Sequence, residues 1–258
     1  IDASEAPVLD VVRDFSASSS LPGVYEVNQE DFNNESGSQF SYWKSGEVRS
    51  SEKNNKKLKD LGVSVKVGLQ TGNDFRFLRC WWEMPKKKAG WFFHAKGGSN
   101  EPFVSDIHLL VNWEEDGREV RSYPSVRLNM FSKKSPDDGV PAGLTFAYRT
   151  FRFSPGLMPR NVVPGVAGMG VYSEDINLFS LLAVLNSNAV NEFIKMRLAN
   201  KKSQALYQAG VISPVTFPEL TEAELSQLKQ LSVNICNNIL VKLFNDRASL
   251  IFSGYFFD

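Results

Sequence analysis

Val67-Gly68-Leu69-Gln70-Thr71-Gly72-Asn73-Asp74-Phe75-Arg76-Phe77-Leu78-Arg79-Cys80-Trp81-Trp82-Glu83 joins a glycine-bounded polar turn to a segment with two arginines and two adjacent indoles. Glycine tolerates positive φ and has no side-chain bulk, so Gly68-Leu69-Gln70-Thr71-Gly72 lets the backbone pass close to another group. Arg76 and Arg79 follow within one short element, and Phe75-Arg76-Phe77-Leu78-Arg79 reads as a strand. Turn, cations and aromatics together suit the holding of an anionic polymer.

The surrounding segments set this stretch in an α+β chain. Ser64–Val67, Trp91–Phe93, Leu109–Val111, Leu144–Tyr148 and Gly170–Tyr172 are short β-like runs divided by Gly, Pro, Asn and Asp. They predict a curved, mostly antiparallel β domain decorated by long loops at 86–90, 96–102 and 132–143, where binding groups are commonly placed. The period then changes. Leu178, Leu181, Leu182, Leu185, Val190, Phe193 and Ile194 suit helices broken near Asn186-Ser187-Asn188, and Thr221-Glu222-Ala223-Glu224 caps another running to about Asp246. Upstream, Glu5–Phe15 has the spacing of an amphipathic helix, Val24–Val27 that of a strand, and Ser51–Leu61 that of a short helix ending at Gly62. The expected division is a linker or helix over 1–23, a β-rich domain over 24–175 and a helical region over 176–258.

With 258 residues, 42% of them hydrophobic, the chain can build a substantial core. Its formal net charge is zero, but the charge is unevenly spread. Residues 1–40 carry one basic and eight acidic side chains, 41–100 carry thirteen and five, and 101–218 carry twelve and eleven. The positive charge is thus a local footprint, although the lysines from Lys53 to Lys59 also fit a solvated face. Two distant cysteines, Cys80 and Cys236, support neither a disulfide framework nor a cysteine metal site. No run approaches the ~20 apolar residues of a membrane span, and no signal peptide opens the chain, so a cytoplasmic protein is expected. It begins at Ile1 in a mid-sequence manner and reads as a fragment.

Catalytic motifs are lacking. His94 and His108 are the only imidazoles and have no metal-ligand spacing around them. There is no Gly-x-Ser-x-Gly elbow and no phosphate-binding Gly-x-x-x-x-Gly-Lys-Ser/Thr loop, and Gly165-Val166-Ala167-Gly168-Met169-Gly170 does not follow the dinucleotide-binding order. Pro136-Asp137-Asp138 has no Glu-x-Lys partner on a strand, as a metal nuclease would need.

The ordered motifs resemble one family: the target-recognition region of large adenine-specific DNA methyltransferases of phage-exclusion (BREX) systems and of related single-chain restriction-modification enzymes. Gly68–Glu83 resembles that family's Gly-Leu-x-Thr-Gly turn, Arg-Phe-Leu-Arg strand and Trp-Trp-Glu ending. Gln29–Phe32 and Tyr42-Trp43 precede it in the family's order. Lys96-Gly97-Gly98, Val111–Gly117, Gly143–Phe146 and Leu181–Ser187 follow it, so the resemblance spans residues 24–200. Ser99–Phe103 replaces the family's aromatic Trp-Tyr-Gly segment, and Asn200–Gln204 replaces its Asn-Pro-Thr.

The resemblance implies double-stranded DNA as partner and a specificity role in restriction-modification or phage defence. Such proteins hold a flipped adenine with an Asn-Pro-Pro-Tyr motif in a domain that binds S-adenosylmethionine. This chain has no Asn-Pro pair. Catalysis and the cofactor are therefore expected in a methyltransferase domain elsewhere in the same or a partner chain. Phosphate contacts are expected from Lys66, Thr71, Arg76, Lys86, Lys87 and Lys96, with Gly72, Gly97 and Gly98 allowing close backbone approach. Gln70 and Asn73 are chemically matched to adenine edges, Arg149 and Arg152 to guanine. Each has a plainer reading: the amides also close turns, and the arginines alternate with Tyr148, Phe151 and Phe153 as solvent-facing strand residues do. Trp81, Trp82 and Trp113 are assigned to packing. Two other classes fit the pattern less fully. One is a protein-interaction module whose helices dock a methyltransferase core or partner subunit, and the other is a glycan-binding β domain.

Overall fold

Short runs of branched and aromatic residues separated by glycine and proline cannot make long strands, and the described residues form eleven short ones. The computed structural model describes residues 55–84, 89–97, 101–198 and 205–246. The segments Glu5–Phe15 and Val24–Val27, the motifs before Tyr42-Trp43, and Lys86, Lys87 and Gly98 lie outside the described residues.

The strands are β1 (Val63–Lys66), β2 (Leu78–Cys80), β3 (Trp91–Ala95), β4 (Phe103–Val104), β5 (Leu109–Asn112), β6 (Gly143–Ala147), β7 (Arg149–Thr150), β8 (Gly156–Met158), β9 (Val162–Pro164), β10 (Gly168–Ser173) and β11 (Ala205–Leu206). Five form a sheet in the order β1-β10-β6-β8-β4, four a second sheet in the order β2-β5-β3-β9, and β11 pairs with β7. Among the strand pairs of the described residues, β4–β8 and β3–β9 are parallel and the others antiparallel. Neither larger sheet closes into a barrel. This is the antiparallel-rich α+β fold that the short alternating runs predict.

The helices are α1 (Asp74–Phe77), α2 (Glu114–Ser122), α3 (Leu178–Asn186), α4 (Asn188–Arg197), α5 (Ala209–Ile212) and α6 (Glu222–Phe244). Their ends follow local chemistry. Asn177 accepts the Phe179 N–H to cap α3, and Thr221 and Glu224 form a reciprocal capping box at α6. Extended Ser187 separates α3 from α4 at the predicted break. Around Gly62, at φ 68°, a 3-10 turn over Leu58–Leu61 ends before β1.

Leu144 and Val171 of the five-stranded sheet share one core with Leu181, Leu182 and Leu185 of α3, all at 0% exposure. Each such burial contributes roughly 1.5–3 kcal/mol relative to exposure. Two smaller cores, around Trp113 and Phe131 and around Phe93 and Leu110, pack on the four-stranded sheet.

A polar clamp ties α4 to the sheet. Asn191 accepts the Phe153 N–H at 3.0 Å and donates to the Phe153 carbonyl at 3.2 Å, supplying a non-strand residue with both its backbone partners. Asn191 is 4% exposed and Phe153 is fully buried. Asn191→Ala leaves both backbone groups without partners away from water, and an expected loss of roughly 2–3 kcal/mol follows. Urea denaturation measures it, and a loss below about 0.5 kcal/mol would show that the backbone re-pairs.

Candidate nucleic-acid interface

The turn at 68–76 begins where only glycine fits. A Cβ on Gly68 would lie 1.8 Å from the Pro164 carbonyl oxygen. That close approach lets Leu69 donate to the same carbonyl at 2.8 Å, anchoring the turn to β9. Leu69 and Thr71 are buried, and the Thr71 hydroxyl donates to Asp74 Oδ1 at 2.6 Å. Asn73 accepts the Arg76 N–H at 3.1 Å and so caps a single helical turn, α1. Residues 75–79, which alternate like a strand, therefore divide into the end of α1 and the start of β2.

A second segment zips against this turn. Gln70 and Arg127 exchange two backbone hydrogen bonds of 2.9 Å as an antiparallel pair. Gly72, at φ 73°, lies so close to Ser125 that a Cβ would meet its carbonyl carbon at 2.7 Å. Asn73 Nδ2 donates to the Tyr123 hydroxyl at 3.2 Å, and Arg76 Nε donates to Glu119 at 2.8 Å. As the residue number rises on one side it falls on the other, so 70–76 and 119–127 run antiparallel as one two-ply ridge. Asn129 closes its base, donating to the Gly68 carbonyl at 2.6 Å.

The 119–127 ply starts from a strained reversal. Glu115, Asp116 and Gly117 all take left-handed backbone conformations at the start of α2, with φ of 54°, 54° and 69°. For residues with a Cβ this costs energy unless neighbours hold it. Arg121 does so, donating from Nε to the Asp116 carbonyl at 2.8 Å while its guanidinium lies 5.0 Å from the Trp113 ring centre. The Trp113 indole in turn donates to Ser135 Oγ at 3.0 Å.

The ridge is nearly charge-balanced. Arg76 pairs with Glu119 and Lys96 with Asp74, and all four side chains are at least one-third exposed. Partial burial holds the Lys96 ammonium below the usual lysine range. Exposed pairs of this kind stabilise by about 0–1 kcal/mol, so their cations are readily handed to another anion. Gln70 and Arg127 are exposed beside them, and Arg127 has no ion pair among the described residues.

The structure gathers Gln70, Thr71, Gly72, Asn73 and Arg76 on this ridge and joins Lys96 to it through Asp74. Within that group the side chains of Thr71 and Asn73 are engaged in holding the turn. Lys66 is exposed at the end of β1. Arg149 is exposed on β7, opposite Leu206 of β11. Arg152 donates to the Asn186 carbonyl at 2.8 Å and to Asn188 at 3.2 Å, where a cation complements the C-terminus of α3. Gly97, at φ 75°, makes its close approach to another part of this chain: a Cβ there would sit 2.2 Å from the Ala167 carbonyl oxygen.

The tryptophans divide. Trp113 is 1% exposed and Trp81 is half-buried, but Trp82 is 58% exposed and stacks on His108 with 6.4 Å between ring centres. Packing therefore accounts for Trp113 and not for Trp82.

No local sequence signal marks residues 119–127 as the second ply or Arg127 as the partner of Gln70. No family model matches the chain. It is 24% identical over 191 residues to adenine-specific methyltransferase PglX of Lacticaseibacillus casei (strain Zhang), a stretch covering 67% of this chain and 16% of that protein. Over 176 residues it is 28% identical to adenine-specific methyltransferase BrxX of Escherichia coli O9:H4 (strain HS), covering 63% of this chain and 14% of that one. This chain is similar to part of the adenine-specific methyltransferases. It spans about one-sixth of the length of these relatives. Among the described residues no helix is long and apolar enough to cross a membrane.

Proposed function

We propose that this chain is the duplex-DNA recognition segment of an adenine-specific DNA methyltransferase of the phage-defence or restriction-modification kind. The observation that carries the reading is the Gln70–Arg127 pair. Two residues that exchange both backbone hydrogen bonds in an antiparallel pair direct their side chains to the same side, with Cα atoms about 5.5 Å apart. An amide and a guanidinium so placed match the edges of adjacent adenine and guanine bases. Lys66, Arg76 and Lys96 supply phosphate contacts, the last two by exchanging carboxylate partners for phosphate. Lys86, Lys87 and Gly98, which lie outside the described residues, are kept as proposed DNA contacts. Arg149, exposed on β7, is a further proposed contact.

Methyl transfer, S-adenosylmethionine and the extruded adenine are assigned to a catalytic domain beyond this chain, in the same or a partner polypeptide. A second reading, a docking module for that catalytic domain, is favoured by the exposed Leu231, Ile235, Val241 and Phe244 of α6.

Duplex binding across a salt series tests the first reading. Glu119→Gln spares Arg76 the exchange of its carboxylate partner, so it is expected to raise affinity for mixed-sequence duplex, whereas Arg76→Ala, which removes one phosphate contact, is expected to lower the log–log salt slope by about 0.9. In selection from randomised duplexes, Arg127→Ala is expected to relax the preference at one position by roughly 5- to 150-fold, the worth of one bidentate base contact. Salt-insensitive retention with no enriched sequence would remove the DNA reading and leave the docking one.

A further inference from the structure

Phe75 is 92% exposed, the largest exposure among the described large apolar side chains, and it stands on the same ridge as Gln70 and Arg127. Two residues on, Phe77 is fully buried and packs edge-to-face against Tyr123 with 5.3 Å between ring centres. The single turn of α1 thus directs one phenylalanine into the core and the other out from the surface. Leaving a whole aromatic side chain in water forgoes the free energy of burying it. Folding alone does not account for that placement.

The backbone beneath the ring is held from both sides. Before it, Thr71 bonds Asp74 at 2.6 Å and Asn73 caps the turn at 3.1 Å. After it, Arg79 Nη1 donates to the Phe75 carbonyl itself at 2.8 Å and to the Leu78 carbonyl at 2.6 Å. The cross-ply contacts to Tyr123 and Glu119 then fix the turn to the second segment. The backbone that carries the ring is thus ordered before any ligand arrives, so insertion has only the ring's own rotamers left to fix, which lowers its cost.

Resting on the duplex-DNA reading above, we propose that Phe75 is a wedge: its ring enters the base stack beside the bases faced by Gln70 and Arg127, partly unstacking one step. Apolar wedges of this kind kink and untwist the duplex and open it for extrusion of a neighbouring base. The two readers hold the duplex in register, the exchangeable cations Arg76 and Lys96 hold its backbone, and the ring acts on the stack between them. The function so assigned is deformation of DNA.

The test uses the 258-residue chain and closed circular plasmid, which presents many short sequences at once. Plasmid is relaxed by a topoisomerase with the chain bound, stripped of protein and resolved by linking number; occupancy is measured in parallel by gel retardation. The wild-type chain is expected to leave the plasmid underwound. Phe75→Ala, at matched occupancy, is expected to lose most of that shift while its affinity falls about tenfold, in the range of a lost base–aromatic stack. Phe75→Leu, still apolar, is expected to keep part of the shift. Because the ring is solvent-exposed, both variants should melt with the wild type, and a common melting temperature confirms that they fold. An unchanged linking shift in Phe75→Ala, or bound wild-type chain that produces none, overturns the wedge while leaving DNA recognition intact; in that case Phe75 is a protein contact. Failure of the wild-type chain to retard any duplex overturns both proposals.

Discussion

Gly68→Ala is expected to destabilise the chain by more than ~4 kcal/mol, beyond the range of ordinary point substitutions. The added Cβ would lie 1.8 Å from the Pro164 oxygen, 2.2 Å from its carbonyl carbon and 2.8 Å from the Gly165 nitrogen. All three are backbone atoms, so no rotamer change relieves the overlap. Moving them means moving β9, whose Val162 and Val163 are fully buried in two of the three cores. The alternative is for the turn to lift away, which breaks the Leu69–Pro164 hydrogen bond and withdraws Leu69, 2% exposed, from the core. Either route also unseats the Asn129 amide from the Gly68 carbonyl. Gly210→Ala is the control. A Cβ on that residue of α5 meets nothing within 4 Å, and alanine there is expected to be neutral or stabilising by up to about 1 kcal/mol. Denaturant midpoints of the two variants measure the contrast, and a Gly68→Ala loss under about 1 kcal/mol would mean that β9 yields far more easily than its burial implies.

How much of this arrangement can be read from the residues depends on the distance over which each signal acts. α3 and α6 are legible because their caps, Asn177 and the Thr221–Glu224 box, lie within three residues of the groups they satisfy. α1 is misleading for the opposite reason: Phe75-Arg76-Phe77-Leu78-Arg79 alternates like a strand, and one cap at Asn73 turns its first part into a helix. β8 and β9 have three residues each, too few to show a period. The left-handed start of α2 contradicts the preferences of Glu115 and Asp116 and rests on contacts that Arg121 and the Trp113 indole make to Asp116. The candidate site divides in the same way. Its first ply announces itself through Gly68, Gly72 and the polar turn, but the second joins it across sequence separations of 43 and 50 residues. Arg127 sits in a charge-balanced region, so neither a charge count nor a local motif singles it out. Gly97 shows the limit of the glycine argument: its freedom serves a contact with Ala167 inside the fold, which composition cannot distinguish from closeness to a ligand.

A second large effect is expected from pH, through His94. Its ring is 3% exposed in β3, and Nδ1 lies 3.0 Å from the Val163 carbonyl, which fixes the proton on that nitrogen. The other edge of the ring faces Gly165, where a Cβ would lie 3.1 Å from Cε1 and 3.2 Å from Nε2. Burial disfavours the imidazolium and pushes the pKa down from 6.5 to about 4, only partly offset by the bond to Val163. Below pH 6.5 the unfolded chain therefore takes up a proton that the folded chain refuses until about pH 4. The unfolded state binds more protons throughout that window, so stability must fall as the pH is lowered across it and is unaffected by this group above it. The expected loss from His94 alone is about 2 kcal/mol by pH 5 and about 3 kcal/mol by pH 4. His94→Asn retains a short N–H donor for Val163 but cannot titrate. That variant is expected to be less stable than the wild type at pH 7.5 because it leaves the site underfilled. On acidification it should lose about 2 kcal/mol less than the wild type between pH 7.5 and pH 5, so that the two denaturation midpoints converge. Carboxylates contribute equally to both proteins, and the difference between the two pH profiles isolates the imidazole. Parallel profiles would overturn this assignment, because they would mean that His94 takes up its proton in the folded state as freely as in the unfolded one.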